Sequence, residues 1–267
     1  MLTIQISRAI ITSMKQESDV VLKSSNFRKH KKCSVFFTLI SLLLLTVCSC
    51  MLFFILTKRE PITAKEIFKD NIKSVVEVKA YSEDVGESFG TAEFVDDNGT
   101  LVTNAHVVTY TKLEETYEFE SYFIRFASDE NYIIVDLVKY DIDLDIAILK
   151  MDKDFRDFKP MKLGNSSKIS TGDKVYAIGN SANYGLSMSE GIIGMPELNI
   201  VYSGKTRNVI QASINIAEGN SGGALLDKNG KLIGITTFRT KDGNNNVIHG
   251  IAYCVPINTV LKYINRS

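Results

Sequence analysis

The sequence is organised around residues 218–225, EGNSGGAL, in which Ser221 stands between glycines and is followed by apolar residues. Glycine lacks a β-carbon, so the chain can adopt backbone conformations that other residues avoid and can approach another chain closely. A hydroxyl becomes a useful nucleophile when a base removes its proton and backbone N–H groups stabilise the resulting oxyanion. Taken alone, the stretch fits two interpretations: a glycine-rich turn with a hydrogen-bonding serine, or a nucleophile loop.

Two upstream stretches supply the partners that a serine nucleophile needs. Residues 101–108, LVTNAHVV, place His106 after a short apolar strand, and residues 141–149, DIDLDIAIL, place three aspartates before another. Imidazole titrates near neutral pH and can therefore take up and return a proton. The three aspartates alternate and so share one face of a strand, and spacing alone leaves the choice among them open. Histidine, aspartate and serine follow one of the chain orders in which catalytic triads occur.

These segments resemble the trypsin-like serine proteases and, within them, the HtrA/Deg branch. Four stretches carry the resemblance: TNAHVV (103–108), DIAIL (145–149), LGNSSKISTGDKVYAIGN (163–180) and GNSGGALLDKNGKLIGI (219–235). They follow one another in the order of the family, which makes the resemblance specific.

The resemblance implies a role for each candidate residue. Ser221 would be the nucleophile, His106 the general acid and base, and Asp145, directly before the Ile-Ala pair, the carboxylate that orients His106. Gly219 and Ser221 would donate backbone N–H groups to the oxyanion hole. Glu218 stands where the family usually has a proline, and this departure bears on the resting geometry of the loop.

The resemblance also indicates a substrate pocket. Residues 232–238, LIGITTF, are similar to the strand that lines the pocket for the substrate residue before the cleaved bond, and Asn215 lies near its base. Asn215, Thr236 and Thr237 are therefore the candidate pocket residues. Because none of them is charged, we expect a small to medium uncharged side chain at that substrate position.

Short runs of β-branched and aromatic residues, separated by turn residues, fill the chain after residue 74. They predict strands over residues 74–81, 90–95, 100–103, 122–126, 133–139, 147–150, 174–178, 186–193, 209–212, 224–227, 231–238 and 248–255. The pattern alone predicts an all-β protein in two halves. The family resemblance implies two six-stranded antiparallel barrels with the active site in the cleft between them. Short helices are predicted after Thr63, where Glu66 completes a capping box, and after Pro256.

The N-terminal part differs in composition from the rest of the chain. Residues 1–34 form a polar tail that is basic near its end, and residues 35–57 carry no charged side chain. A helix of that length can cross the hydrocarbon core of a membrane, and the basic excess before it predicts a cytoplasmic N-terminus and an extracytoplasmic remainder. A cleaved signal peptide and a buried core helix are the alternatives. Residues 58–64 are then a linker to a protease domain over residues 65–267.

Composition narrows the classes of function. Lys+Arg and Asp+Glu both number 31, and this balance gives no support to nucleic-acid binding, which requires a basic face. Three of the four cysteines lie in or beside the apolar segment, which leaves Cys254 alone in the folded part without a disulfide partner. No Cys/His spacing indicates a metal site and no nucleotide-binding loop is found, so we expect neither metal nor cofactor.

The combined expectation is a membrane-anchored, extracytoplasmic serine endopeptidase that cleaves misfolded or specific exported polypeptides, as the resemblance implies. A homo-oligomer, specifically a trimer, is compatible with the family. The branch commonly adds a peptide-binding PDZ domain after the protease domain. The sequence ends at Ser267, about where the protease domain should end, so we expect a protease domain without a PDZ domain. The alternative function is a catalytically silent, protease-like module that binds peptides.

Overall fold

The computed structural model describes residues 12, 14–19, 36–54, 62–152, 154, 158–202, 204–241 and 247–266, and the chain divides into two units, residues 1–61 and 62–267. In the first unit, helix α1 (Phe36–Phe54) is long and apolar enough to cross a membrane, with a mean hydropathy of 2.4. Most of the predicted basic tail, both ends of the predicted apolar span and residues 58–61 of the predicted linker lie outside the described residues.

The second unit begins with helix α2 (Ala64–Asn71), whose predicted capping box is confirmed. Thr63 N donates to Glu66 Oε2 at 2.9 Å, and Glu66 N donates to Thr63 Oγ1 at 3.3 Å. These two bonds satisfy N–H groups that have no partner within the helix itself. The helix is amphipathic and buries Ile67 in the core of the second unit.

The described residues of this unit contain the strands β1 (Val75–Ser82), β2 (Gly86–Phe94), β3 (Thr100–Thr103), β4 (Thr109–Lys112), β5 (Glu115–Glu118), β6 (Ser121–Phe126), β7 (Ile133–Asp141), β8 (Ile146–Lys150), β9 (Lys174–Asn180), β10 (Leu186–Tyr202), β11 (Lys205–Ser213), β12 (Ala224–Asp227), β13 (Leu232–Lys241) and β14 (Val247–Pro256). One closed barrel has the order β1-β2-β3-β8-β7-β6, and the other has the order β10-β11-β14-β13-β12-β9. All of these pairings are antiparallel, which confirms the predicted pair of six-stranded barrels. Helix α3 (Ala105–Val108) follows β3, and helix α4 (Ile257–Ile264) follows β14.

Each barrel has its own apolar core, and a third apolar cluster joins them. Along β6, buried residues alternate with partly exposed ones, as expected for a strand with one face toward a core. The joining cluster draws side chains from both barrels and from α2 and α4, including Ile67, Val102, Ile146, Ile178, Leu226 and Val260. The two barrels therefore pack through apolar side chains, which fixes the position of one barrel against the other.

Two elements differ most from the sequence prediction, while β2 and β11 each begin four residues before their predicted starts. Strand β10 extends to Tyr202, well beyond the predicted end at residue 193, because it continues with β11 as a two-stranded ribbon with irregular register. The β4–β5 hairpin was not predicted at all. Apart from Thr109 and Tyr110 its strand residues are exposed, so no alternating apolar pattern marks them. Its turn, Leu113-Glu114, has positive φ angles of 52° and 67° without the glycine or asparagine that usually signals such a turn.

Candidate active site

His106 and Asp145 are brought together by two neighbouring strands of the first barrel. His106 lies on α3 directly after β3, and Asp145 directly precedes β8; Thr103 pairs with Ala147 at this edge. His106 Nδ1 lies 3.0 Å from both Oδ1 and Oδ2 of Asp145, and His106 N donates to Oδ1 at 3.1 Å. A carboxylate in this position fixes the tautomer and the orientation of the imidazole ring.

The two side chains differ strongly in exposure. The side chain of His106 is 49% exposed, whereas that of Asp145 is 5% exposed. Burial by itself would raise the pKa of Asp145. The charge of His106 and hydrogen bonds from His106 and the hydroxyl of Thr237 outweigh burial and hold that pKa below its ordinary value. The carboxylate is therefore ionised at neutral pH and the exposed ring faces solvent.

Ser221 comes from the second barrel, in the loop that precedes β12. Its carbonyl accepts from Thr91 N at 2.8 Å, which fastens the loop to β2 of the first barrel. Ser221 Oγ donates to Thr237 O at 3.0 Å, and within the described part of the chain it makes no hydrogen bond to His106. Thr237 thus contacts both Asp145 and Ser221, through its hydroxyl and its carbonyl respectively. Ser221 must turn from this carbonyl before His106 can take its proton.

The loop around Ser221 requires glycine at two positions. Gly219 and Gly222 have φ angles of 86° and 82°, and a β-carbon on Gly219 would lie 2.1 Å from Asn180 O. The N–H groups of Asn220, Gly222 and Gly223 donate to backbone carbonyls. Within the described part of the chain, the N–H groups of Gly219 and Ser221 have no such acceptor. Those are the two groups that the family resemblance assigns to an oxyanion hole, and that role stays a prediction.

The predicted pocket residues divide into two kinds. Asn215 is exposed, and its carbonyl accepts from Ser189 Oγ at 2.8 Å. Thr236 and Thr237 are buried, at 1% and 2% exposure. Their hydroxyls donate to Asn220 O and to Asp145 respectively, so both hydroxyls bond to residues of the candidate site. Their part in a substrate pocket stays a prediction.

Thr91 and Arg207 also contact the candidate site, and no motif in the sequence marked them. Thr91 Oγ1 donates to Gly219 O at 2.7 Å and accepts from Asn180 N at 2.9 Å. Arg207 Nη1 lies 3.7 Å from Asp145 Oδ2. The contacts of Thr91 and of Arg207 join one barrel to the other. They depend on how strands that are distant in sequence pack together, so no local motif predicts them. Among the described residues, no group of three or more His, Cys, Asp or Glu side chains could hold a metal ion.

Comparisons with known proteins agree with this geometry. The family described as "Trypsin-like peptidase domain" matches residues 90–235. "Protease Do-like 1, chloroplastic" of Arabidopsis thaliana is 31% identical over 215 residues, which cover 73% of this chain and 45% of that protein. "Serine endoprotease DegS" of Haemophilus influenzae is 31% identical over 184 residues, covering 67% and 51%. The chain thus spans about half the length of these relatives.

Comparison with solved structures agrees with the family match. "HtrA-type protease AlgW with tripeptide" superimposes with a TM-score of 0.66 at 28% identity, covering 76% of this chain and 62% of that one. The fold, the order of the motifs and the matched family agree over both barrels. The chain belongs to the trypsin-like peptidase family, in its HtrA/Deg branch.

Proposed function

We propose that the chain is a serine endopeptidase of the HtrA/Deg type. The observation that carries the proposal is the contact of His106 Nδ1 with both carboxylate oxygens of the buried Asp145, which Thr237 links to Ser221. This contact leaves Nε2 as the nitrogen that can accept a proton from Ser221. The ionised carboxylate then stabilises the imidazolium that forms.

The proposed reaction follows from these positions. Ser221 Oγ turns from Thr237 O, loses its proton to His106 and attacks the substrate carbonyl carbon. The N–H groups of Gly219 and Ser221 stabilise the oxyanion, and His106 returns the proton to the leaving amine. Water then attacks the acyl-enzyme in the same manner, which releases the second product and regenerates the hydroxyl. Asn215, with Thr236 and Thr237, is proposed to border the pocket for an uncharged substrate side chain.

We further propose that α1 anchors the protein in a membrane as a single span, with the N-terminus cytoplasmic and the barrels on the extracytoplasmic side. The apolar length of α1 supports the anchor, and the basic residues that precede it support the orientation. The substrates would then be misfolded or specific exported polypeptides near the membrane surface, and a homotrimer is the proposed assembly. Recovery of the full chain in the alkali-extracted supernatant of a membrane preparation would refute the anchor.

A catalytically silent peptide-binding module is the second candidate, because Ser221 Oγ donates to a carbonyl in the structure. Fluorophosphonate labelling of the full chain in detergent separates the two functions, beside Ser221→Ala and His106→Ala. We expect labelling of the wild type, none of Ser221→Ala, and a loss of at least about a hundredfold in rate for His106→Ala. Cleavage of casein by the wild type, with none by Ser221→Ala and a similar loss of rate for His106→Ala, would support an endopeptidase. A folded wild-type chain that neither labels nor cleaves would favour the binding module.

A further inference from the structure

Arg207 reaches from the second barrel to the turn that carries Asp145. It lies on β11, and its side chain is only 10% exposed. Nη2 donates to Ile142 O at 2.7 Å, while Nη1 lies 3.7 Å from Asp145 Oδ2. One guanidinium therefore contacts both the backbone of the turn and the carboxylate that faces His106.

The turn needs such support because its backbone is strained. Asp145 has a φ angle of 56°, in the left-handed region that residues with a β-carbon rarely occupy. A conformation of this kind persists when the surrounding contacts determine it. Within the first barrel, Asn104 Nδ2 donates to Asp145 O at 2.8 Å. Arg207 adds the contact from the second barrel.

A second cation on β11 provides an internal comparison. Lys205 Nζ lies 3.1 Å from Asp143 Oδ2, but both of these side chains are more than half exposed. Exposed pairs of this kind contribute little to stability because water screens them. Arg207, in contrast, is half-buried and has a planar fork that can contact a carbonyl and a carboxylate at the same time.

We propose that Arg207 is a positioning residue for the endopeptidase reaction, holding the turn and the carboxylate of Asp145 in place against His106. The proposal rests on the proposed function and adds a residue that acts through Asp145 without touching the substrate. A lysine at this position could supply the charge but not both contacts.

The test compares Arg207→Met, Arg207→Lys and the control Lys205→Met in the full chain in detergent. For Arg207→Met we expect kcat to fall by about tenfold with KM changed less than twofold. Arg207→Lys should recover little of the lost kcat, because lysine lacks the planar fork that makes both contacts. Lys205→Met should leave kcat and KM within about twofold of the wild type. An Arg207→Met variant with unchanged kcat, or with a lower melting temperature alone, would overturn the proposal.

A second measurement does not depend on turnover. The low-field NMR signal of the His106 Nδ1 proton reports its hydrogen bond to Asp145, and His106→Gln assigns it among only three histidines. We expect Arg207→Met to shift or broaden this signal and Lys205→Met to leave it in place. An unchanged signal in Arg207→Met would overturn the positioning role even in a chain that proved inactive. Inactivity of the wild type would refute the proposed function separately.

Discussion

At the scale of single residues, Thr237 joins the candidate catalytic groups, since its hydroxyl donates to Asp145 and its carbonyl accepts from Ser221. Thr237→Val keeps the shape of the side chain and removes only the donor to Asp145. We expect kcat to fall by about tenfold with little change in KM, because the freed carboxylate orients the imidazole less well. Steady-state kinetics would measure this, with Thr237→Ser as the matched control that keeps the hydroxyl. Equal losses in the two variants would contradict the explanation.

A second prediction concerns Glu93, whose carboxyl group is buried. It is fully buried on β2, where it pairs with Val75 and Val102, and among the described residues neither carboxyl oxygen has a hydrogen-bond partner. Burial raises its pKa well above the ordinary value of 4.5. The unfolded chain loses this proton near the ordinary pKa, but the folded chain keeps it to higher pH. This group's contribution to the free energy of unfolding is thus largest below the ordinary pKa and falls as pH rises to the folded-state pKa.

Substitution of Glu93 by leucine should remove this pH-dependent loss of unfolding free energy. We expect Glu93→Leu to raise the free energy of unfolding at neutral pH by about 1–3 kcal/mol, the cost of burying an unpartnered polar group. Urea unfolding from about pH 5 to 8 would measure the difference from the wild type. The control is Glu77→Leu, which should destabilise the protein because the buried Glu77 accepts from Arg125 at 2.6 Å. A Glu93→Leu chain that is less stable than the wild type at every pH would contradict the prediction.

The sequence was sufficient for some residues of the site and not for others. His106, Asp145 and Ser221 stand in local motifs, so a family resemblance could identify them; the structure places His106 against Asp145 and links Asp145 and Ser221 through Thr237. The contacts of Thr237 could not be predicted, because a local motif does not tell which neighbour a hydroxyl will contact. Arg207 follows no motif at all. Its contact with Asp145 depends on how a strand of one barrel packs against a turn of the other.

At the scale of elements, the barrel strands were predictable because they are short apolar runs, either alternating in burial, as in β6, or buried throughout, as in β3. Beyond Thr109 and Tyr110 the β4–β5 hairpin is exposed, so no apolar periodicity predicts its strands. They form through pairing between Thr109–Lys112 and Glu115–Glu118. The extension of β10 has the same cause, since beyond the barrel its pairing with β11 is the only ladder that holds it in the described part of the chain. Exposed two-stranded ribbons are not predicted from apolar periodicity, because that periodicity reflects burial.

Helix α2 offers a test at this scale, because its start was predicted from the capping box. Thr63→Ala removes the side-chain acceptor for Glu66 N. We expect the free energy of unfolding to fall by about 1 kcal/mol, since one N–H of the first turn loses its partner. Urea unfolding would measure the change, and Thr63→Ser, which keeps the acceptor, should remain close to the wild type. An unchanged midpoint in Thr63→Ala would mean that packing of Ile67 alone holds the helix.

At the scale of the whole molecule, the candidate site exists only where the two barrels meet. The first barrel supplies His106 and Asp145, and the second supplies Ser221. The apolar cluster between the barrels holds these residues in their relative positions. Strand β2 makes one of the polar links between the barrels, because Thr91 bonds the backbone of Ser221, Gly219 and Asn180. The family fold could be predicted from sequence, but this link could not, since it depends on the rotation of one barrel against the other.

Thr91 therefore tests whether the junction of the barrels controls the chemistry. Thr91→Val keeps the side-chain shape and the backbone bond to Ser221 O, but it removes the hydroxyl that donates to Gly219 O and accepts from Asn180 N. Without that hydroxyl the carbonyl of Gly219 is free to turn, and the adjoining N–H groups no longer point reliably at an oxyanion. We expect the rate of fluorophosphonate labelling to fall by about 10–100-fold, the size expected when an oxyanion donor is lost. Thr91→Ser should retain most of the rate, and a full rate in Thr91→Val would show that the loop around Ser221 holds its shape within the second barrel alone.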